Sequence, residues 1–166
     1  LRLVLVAAMS VEVSVVVPVY GNGETLRELY ERLAKALHGW SAEVLFVDDA
    51  SPDDSLRILR ALRPAPHGAP ALRILELARN YGQHAALCAG FEHAAGRVVV
   101  TLDADLQYAP EDIPTFVKAW RSGADLVCGY RVAREDPLLT RVLPSRLFNR
   151  LVRQVSGLAL RDVGSC

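Results

Sequence analysis

The chain alternates continuous apolar runs with stretches in which apolar side chains recur every three or four residues. Apolar runs rich in β-branched residues predict buried strands, and the three-to-four spacing predicts amphipathic helices. The predicted strands cover residues 11–19, 43–47, 72–77, 97–102 and 125–130. The predicted helices cover residues 24–37, 83–93, 110–121 and 140–155, and one more is opened by Ser51 as its cap and Pro52 in its first position. This alternation indicates an α/β fold with a mostly parallel sheet flanked by helices.

Length and composition fit one globular domain, with 166 residues, 51% hydrophobic content and a formal net charge of zero. We interpret residues 1–10 as an N-terminal extension and residues 11–166 as the domain. The ending at residues 164–166 resembles mid-domain sequence, so we expect a missing C-terminal part. The balanced charge gives no reason to expect nucleic-acid binding. No apolar run reaches the ~18 residues of a membrane span. The three widely spaced cysteines predict buried thiols in a reducing cytosol.

Charge is distributed unevenly along the chain. Residues 1–130 carry 12 basic and 16 acidic side chains, whereas residues 131–166 carry 7 arginines and 3 acids. Three of these arginines, Arg146, Arg150 and Arg153, fall on one face of the last predicted helix. That face is either simply solvated or turned toward anionic lipid headgroups, since guanidinium groups pair well with phosphate.

Polar clusters follow the predicted strands, and the most informative is Asp103-Ala104-Asp105-Leu106-Gln107. It comes directly after the apolar run 97–102, so two carboxylates and an amide lie at the exit of a core strand. Such oxygen ligands suit a hard divalent cation, Mg²⁺ or Mn²⁺, which can in turn hold a diphosphate. Ligands of parallel sheets gather at the carboxyl ends of strands, so several clusters there predict one site. The other clusters are residues 20–24, 48–51, 79–80 and 131–134.

Asp48 and Asp49 end a second buried run. They could serve only a helix-capping turn, but Ser51 already supplies the expected cap. We therefore expect both acids to be free to accept hydrogen bonds from a nucleobase or a ribose. Gly21-Asn22-Gly23 resembles the start of a dinucleotide fingerprint, yet the third glycine is missing, so a tight turn is favoured over NAD binding. His84 and His93 have no metal-ligand spacing.

These motifs together resemble the family 2 glycosyltransferases, in the branch of dolichyl-phosphate mannose synthase and its bacterial polyprenyl-phosphate relatives. The resemblance runs from about residue 13 to residue 166. It rests on the ordered segments 17–20, 47–51, 79–82, 103–107 and 161–164. It implies a GT-A fold and an inverting, metal-dependent transfer of a sugar from a nucleotide sugar to a polyprenyl phosphate. It also implies a cytoplasmic enzyme at the inner face of the cell membrane, held peripherally or through missing C-terminal helices.

The resemblance assigns roles to individual residues. Asp103, Asp105 and Gln107 would hold the metal, and Arg131, Arg141 and Ser145 would grip the acceptor phosphate. Asp105, Arg131 and Asp162 are the candidate catalytic residues. The nucleotide would be bound by Pro18, Tyr20, Glu24, Asp48, Asp49, Asn80, Gly82, Asp103 and Ala104.

The sequence departs from the family pattern at two places, and it leaves two alternative functions open. Gly21-Asn22-Gly23 replaces a more usual Asn-Glu-Glu, and Tyr108-Ala109 replaces a polar residue and proline. One alternative is a transferase that acts on a sugar hydroxyl and needs a general base, for which Asp162 is the candidate. The other is an inactive nucleotide-sugar-binding fragment. The sequence predicts neither the sugar, the nucleobase, the lipid nor the oligomeric state.

Overall fold

The computed structural model describes residues 11–63 and 68–129. The chain divides into two compact units, residues 1–117 and residues 118–166. The first unit contains a four-stranded, all-parallel sheet in the order β3-β2-β1-β4. The strands are β1 (Val13–Val19), β2 (Ala42–Asp48), β3 (Ala71–Glu76) and β4 (Val98–Thr101).

Helices connect these strands, as parallel strands require. The connecting helices are α1 (Leu26–Ala36), α2 (Ser55–Ala61) and α3 (Gln83–His93). Helix α4 (Ile113–Arg121) follows β4 and is preceded by a 3₁₀ turn at Pro110–Asp112. The predicted α/β architecture with a parallel sheet is confirmed, and the predicted helix at residues 83–93 has the observed bounds. In the described part of the chain, no helix is both long and apolar enough to cross a membrane.

The core lies at β1 and β2, where every residue of both strands is buried. Their continuous apolar sequence follows from this position, because inner strands of a parallel sheet are covered on both faces. Helix α1 buries its leucine face, and α3 lies so close to β1 that a Cβ on Gly90 would sit 2.3 Å from Cγ1 of Val16. The glycine therefore permits the contact between α3 and the sheet.

A buried polar network occupies the amino end of the sheet. Glu43, on β2, is 2% exposed. Its Oε1 accepts hydrogen bonds from the Ser14 hydroxyl at 2.5 Å and the Ala95 N–H at 2.7 Å, and its Oε2 accepts one from Arg73 at 2.9 Å. Burial raises the pKa of Glu43, but the hydrogen bonds from Ala95, Ser14 and Arg73 outweigh it and hold the pKa below its ordinary value of 4.5. Gly96 completes the network by donating its N–H to the Ser14 hydroxyl.

The structure corrects three sequence predictions. Helix α2 begins at Ser55, so Ser51 is not its cap and Pro52 is not in its first turn. The Ser51 hydroxyl instead accepts the Gly21 N–H, a contact between two loops that sequence spacing does not reveal. Residues 125–129, the described part of the predicted strand 125–130, form no strand; an apolar pattern supplies no neighbouring strand to pair with.

The third correction concerns the thiols. Cys88 is exposed on α3, because the apolar side chains of this helix are spread around its circumference and only part of them faces the sheet. Cys128 is half-buried. The predicted helix at residues 140–155, with its arginine face, lies outside the described residues.

Candidate functional site

The carboxyl ends of three strands meet at one edge of the sheet. Val19 of β1 lies beside Asp48 of β2, and Leu102, just after β4, donates its N–H to the Val16 carbonyl of β1. A cavity of about 370 Å³ opens at this edge. Its lining combines backbone-rich loops with polar side chains that follow these three strands and also β3. The lining residues are Pro18, Val19, Tyr20, Asn22, Asp49, Asn80, Gly82, Gln83, Ala86, Asp103, Ala104 and Asp105.

Asp49 holds one wall of the cavity in place. It is 2% exposed, and its two carboxylate oxygens accept the N–H groups of Tyr81 and Gly82, both at 2.8 Å. Gly82 has φ +91°, a left-handed conformation that favours glycine. The expectation that both acids after β2 are free of protein partners is therefore wrong for Asp49. A carboxylate oxygen has a second lone pair, so each oxygen of Asp49 keeps one site for a ligand.

Asp48 has fewer hydrogen-bond partners than Asp49 among the described residues. It is 1% exposed, and in the part of the chain that the structure describes its Oδ2 accepts only a long hydrogen bond of 3.3 Å from the Ser51 N–H. Its Oδ1 is buried and has no hydrogen-bond partner among the described residues. An unpaired buried carboxylate oxygen is costly, so such atoms are rare in proteins. Asp48 does not line the cavity, in contrast to its neighbour.

The loop that follows β4 carries the candidate metal ligands. Asp103 is half-buried and accepts a hydrogen bond of 2.9 Å from the Gln83 side-chain amide. Burial, followed by the nearby Asp105 carboxylate, raises the pKa of Asp103, and the Gln83 hydrogen bond opposes the rise. Asp105 is exposed and accepts the Gln107 N–H at 3.0 Å. Between them Leu106 has φ +61°, which turns the loop sharply.

The structure brings together most of the predicted site residues that it describes. Asp103 and Asp105 line the cavity, whereas Gln107 does not and contacts Asp105 through its backbone. Glu24 is exposed and also lies outside the cavity lining. Six further predicted nucleotide-binding residues line it: Pro18, Tyr20, Asp49, Asn80, Gly82 and Ala104. Arg131, Arg141, Ser145 and Asp162 lie outside the described residues.

Sequence reasoning missed Gln83 as a cavity residue and gave Asn22, within the predicted cluster 20–24, no role of its own. Gln83 is the first residue of α3, and a polar side chain at the start of a helix that follows a strand end is a usable signal. Asn22 was assigned to a tight turn as well as to the cluster at the strand ends. Its side chain accepts the Tyr20 N–H at 3.1 Å, and its own N–H donates to the Ser55 hydroxyl at 3.0 Å.

The structure also explains why glycine stands on both sides of Asn22. Gly21 has φ +72°, and a Cβ on Gly23 would lie 3.1 Å from the Asp53 carboxylate that accepts the Gly23 N–H. The departure from the usual Asn-Glu-Glu thus matches a loop that is bonded to the segment between β2 and α2.

The residues present fit a divalent cation. In the stretches that the structure describes, no group of three or more His, Cys, Asp or Glu side chains comes together around a single point. The cavity nevertheless has three lining acids, Asp49, Asp103 and Asp105, and no lining Lys or Arg among the described residues. A cation between Asp103 and Asp105 would stabilise the Asp103 carboxylate, whose pKa is raised first by burial and then by the Asp105 charge. Oxygen donors of this kind suit Mg²⁺ or Mn²⁺, which keep part of their coordination for water or phosphate.

Two sequence comparisons bear on this chain. The family model "Glycosyl transferase family 2" matches residues 14–163. Proteins named undecaprenyl-phosphate 4-deoxy-4-formamido-L-arabinose transferase are 44% identical to it over 155 residues in Sodalis glossinidius and over 154 residues in Pseudomonas fluorescens. Both alignments cover 92% of this chain, which spans 47% and 44% of the length of these two relatives. The segments 80–84 and 148–151 also most resemble these transferases.

Solved structures agree with the sequence comparison. The mannosyltransferase PcManGT from Pyrobaculum calidifontis, in complex with GDP-Man and Mn²⁺, matches with a TM-score of 0.60 and 25% identity, over 86% of this chain and 38% of that one. S. aureus TarS in complex with UDP-GlcNAc matches with a TM-score of 0.55 and 25% identity, over 76% and 37%. The parallel sheet with flanking helices is thus GT-A-like, as the sequence resemblance implies. On its sequence match over residues 14–163, the chain belongs to glycosyl transferase family 2.

Proposed function

We propose that this chain binds a nucleotide sugar with Mg²⁺ or Mn²⁺ and transfers the sugar, with inversion, to a polyprenyl phosphate. The observation that carries the proposal is the acidic cavity at the carboxyl edge of the sheet, with Asp103 and Asp105 at its lining. The names of the 44% identical relatives support undecaprenyl phosphate as the acceptor and a 4-deoxy-4-formamido-L-arabinose donor. The GDP-Man and Mn²⁺ bound to a structural neighbour support a metal-dependent nucleotide-sugar site.

In this proposal Asp103 and Asp105 hold the cation, and Gln107 completes the set from the same loop. When bound, the cation supplies positive charge that stabilises the departing nucleoside diphosphate. The acidic lining would otherwise repel a diphosphate, since Asp49, Asp103 and Asp105 give it only negative charge among the described residues. The same carboxylates therefore make nucleotide binding depend on metal.

We assign the nucleoside to the wall formed by the loops after β1 and β3. Tyr20 is 52% exposed at the cavity, so its ring is available to lie against a base. Asn80 and Gly82 lie in the loop held by Asp49, which accepts the Gly82 N–H, and they offer amide and backbone groups that can recognise base or ribose. Asp48 does not itself line the cavity, but we include it because its buried Oδ1 lacks a partner among the described residues and because it precedes Asp49, which does line the cavity. Pro18, Glu24 and Ala104 complete the proposed nucleotide-binding set.

The acceptor assignment follows from the chemistry of a phosphate monoester. Its second pKa of ~6 leaves it largely ionised at neutral pH, so its oxygen can attack the anomeric carbon without a protein base. Arg131, Arg141 and Ser145 would hold this phosphate in line with the bond that breaks, and the lipid chain would place the enzyme at the inner face of the membrane. Asp162 would act only if the acceptor were a hydroxyl, which must lose a proton.

Calorimetry with the purified chain tests the donor site. We expect UDP, GDP or CDP to bind in the presence of Mn²⁺ and the binding to be lost on Asp105→Ala, with the melting temperature unchanged. Asp125→Ala is the matched control, because Asp125 is exposed and does not line the cavity. Mn²⁺-independent nucleotide binding in the parent, or equal affinity in Asp105→Ala, contradicts the metal assignment.

Sugar transfer to a short-chain polyprenyl phosphate, with a sugar hydroxyl acceptor in parallel, tests the acceptor. Arg131→Ala and Arg141→Ala should each lower kcat/KM for the lipid phosphate about tenfold or more, since a charged hydrogen bond contributes about 1.5–3 kcal/mol. The donor Kd should not change. If the chain instead transfers sugar to the hydroxyl acceptor, and Asp162→Asn abolishes that transfer, the alternative transferase is established.

A further inference from the structure

Thr25 contacts the loop that carries the two acids, although it lies 79 residues away in sequence. Its Oγ1 is 2.5 Å from the carbonyl oxygen of Ala104, the residue between Asp103 and Asp105. Ala104 is 3% exposed, so its carbonyl has little access to water and depends on a protein donor. A hydroxyl is the group that can supply that hydrogen bond.

The Thr25 hydroxyl has no capping role that would explain its presence. Thr25 occupies the N-cap position of α1, where a threonine side chain usually accepts an N–H from the first turn. Here it makes no such bond, and its φ of −97° and ψ of −22° are already helical. The hydroxyl lies between two acceptors, the Ala104 carbonyl at 2.5 Å and the Asn22 carbonyl at 3.0 Å. It has one proton, and the shorter contact is the one to Ala104.

The contact fixes the geometry of the acid pair. The Ala104 carbonyl belongs to the planar peptide that joins Ala104 to Asp105, so a bond to it restrains the direction in which the Asp105 backbone leaves. On the other side, Asp103 is restrained through its carboxylate by Gln83. Thr25 also follows the loop that carries Tyr20 and Asn22, which line the cavity. One hydroxyl thus connects the nucleoside side of the cavity to the metal side.

We propose that Thr25 is a positioning residue that holds Asp103 and Asp105 in the geometry for a divalent cation through its bond to the Ala104 carbonyl. This inference rests on the proposed metal-dependent nucleotide site. Thr25 does not touch the ligand itself. Its removal should weaken Mn²⁺-dependent nucleotide binding while nucleoside binding without metal is kept.

The test compares Thr25→Val, which has the same shape without the hydroxyl, with Thr25→Ser, which keeps it. We expect Thr25→Val to weaken the Mn²⁺-dependent affinity for a nucleoside diphosphate about tenfold, the equivalent of about 1.4 kcal/mol. Thr25→Ser should restore it to within about twofold of the parent, since it restores a hydrogen bond of ordinary strength. Affinity for the nucleoside without metal should not change, and the Mn²⁺ electron paramagnetic resonance spectrum should differ between Thr25→Val and the parent.

Metal-free nucleoside affinity separates positioning from general destabilisation. If Thr25 acts through the acids, Thr25→Val should leave that affinity at the parent value, whereas a general loosening of the cavity would lower the metal-dependent and the metal-free affinities together. Thr25→Ala serves in place of Thr25→Val if the valine variant does not fold. Equal Mn²⁺-dependent affinity in the parent and both hydroxyl-free variants overturns the inference alone. A parent chain without any Mn²⁺-dependent nucleotide binding overturns the proposed function and the inference with it.

Discussion

Strand β2 carries a buried acid near each end, and the two acids differ in their hydrogen-bond partners. Glu43, near the amino end, is 2% exposed and has three hydrogen-bond donors, one of them Arg73. Asp48, at the carboxyl end, is 1% exposed and has one long hydrogen bond and an unpartnered Oδ1 in the described part of the chain. Equal burial with unequal pairing indicates a structural role for Glu43, whereas Asp48 has an acceptor oxygen that no described residue uses.

The neighbouring residues extend this contrast. At the amino end every donor that contacts Glu43 comes from a strand or from the chain just before β4, so the network ties three strands together. At the carboxyl end Asp49 holds a loop, and burial, followed by the nearby Asp105 carboxylate, raises the pKa of Asp103. Functional sites commonly carry such unfavourable electrostatics, which ligand binding then relieves.

The largest expected effect on stability is that of Glu43→Ala. The change removes the partners of a fully buried Ser14 hydroxyl and of the Ala95 N–H, and it leaves Arg73 without its carboxylate. Because each unsatisfied buried group costs about 1–3 kcal/mol and Arg73 is partly solvated, we expect the free energy of unfolding to fall by about 2–4 kcal/mol. Urea denaturation measures it. Nucleotide affinity of the folded fraction should not change, and Glu92→Ala, at an exposed acid on α3, is the control.

The sequence predicted the elements that are set by local pattern. Strands β1 and β2 are continuous apolar runs, and α3 lies between a left-handed glycine and the extended Ala94, so their positions agree with the prediction to within two residues. The start of α2 was missed because Ser51 is bonded to a distant loop. For the same reason the role of Glu43 was not foreseen, since its donors come from three separate segments of the chain.

In the candidate site, too, the sequence predicted what local pattern determines and missed what long-range contacts determine. Because the sheet is parallel, the acids after β2 and β4 must lie at one edge of it. The cavity lining there includes Asp49, Asp103 and Asp105. Which of them would be free could not be predicted. Asp49 is engaged by N–H groups 32 and 33 residues away, and Asp103 by an amide 20 residues away. Side-chain pairing across such separations is decided by packing, not by spacing.

The next largest effect on stability is expected for Asp49→Ala. Asp49 directly follows β2, at the carboxyl end where the cavity lies. The substitution removes the acceptor of two N–H groups at 2.8 Å, in a loop that is only partly buried, so we expect a loss of about 1–2 kcal/mol in the free energy of unfolding. Unlike Glu43→Ala, it should also weaken nucleoside binding severalfold, because Asn80 and Gly82 line the cavity. Asp54→Ala, at an exposed acid outside the lining, should leave nucleoside binding unchanged. Unaltered nucleoside affinity in Asp49→Ala would mean that the loop is held without it.

A pH series on Glu43→Gln isolates the charge of the amino-end network. The folded pKa of Glu43 is lowered below 4.5, so its ionised form stabilises the folded chain above that pH, and this contribution is lost as the pH falls through the folded pKa. The parent should therefore be more stable than Glu43→Gln at pH 7, and the difference should shrink steadily below pH 4.5. Urea midpoints at several pH values measure it. A difference that stays constant down to acid pH would assign the stabilisation to shape and not to charge.

The smallest effect on stability is expected for Asp48→Asn, the matched loss of charge at the other end of β2. The carboxylate has a buried oxygen with no partner in the described part of the chain, and a neutral amide of the same shape is less costly to bury than an ion. The free energy of unfolding should therefore stay within about 0.5 kcal/mol of the parent or rise, although Asp48 is as buried as Glu43. If Asp48 accepts a hydrogen bond from the nucleoside, as we propose, metal-free nucleoside affinity should fall severalfold in this variant. If Asp48→Asn destabilises the chain as much as Glu43→Gln and leaves nucleoside binding intact, both acids are structural and the contrast between the two ends of β2 does not hold.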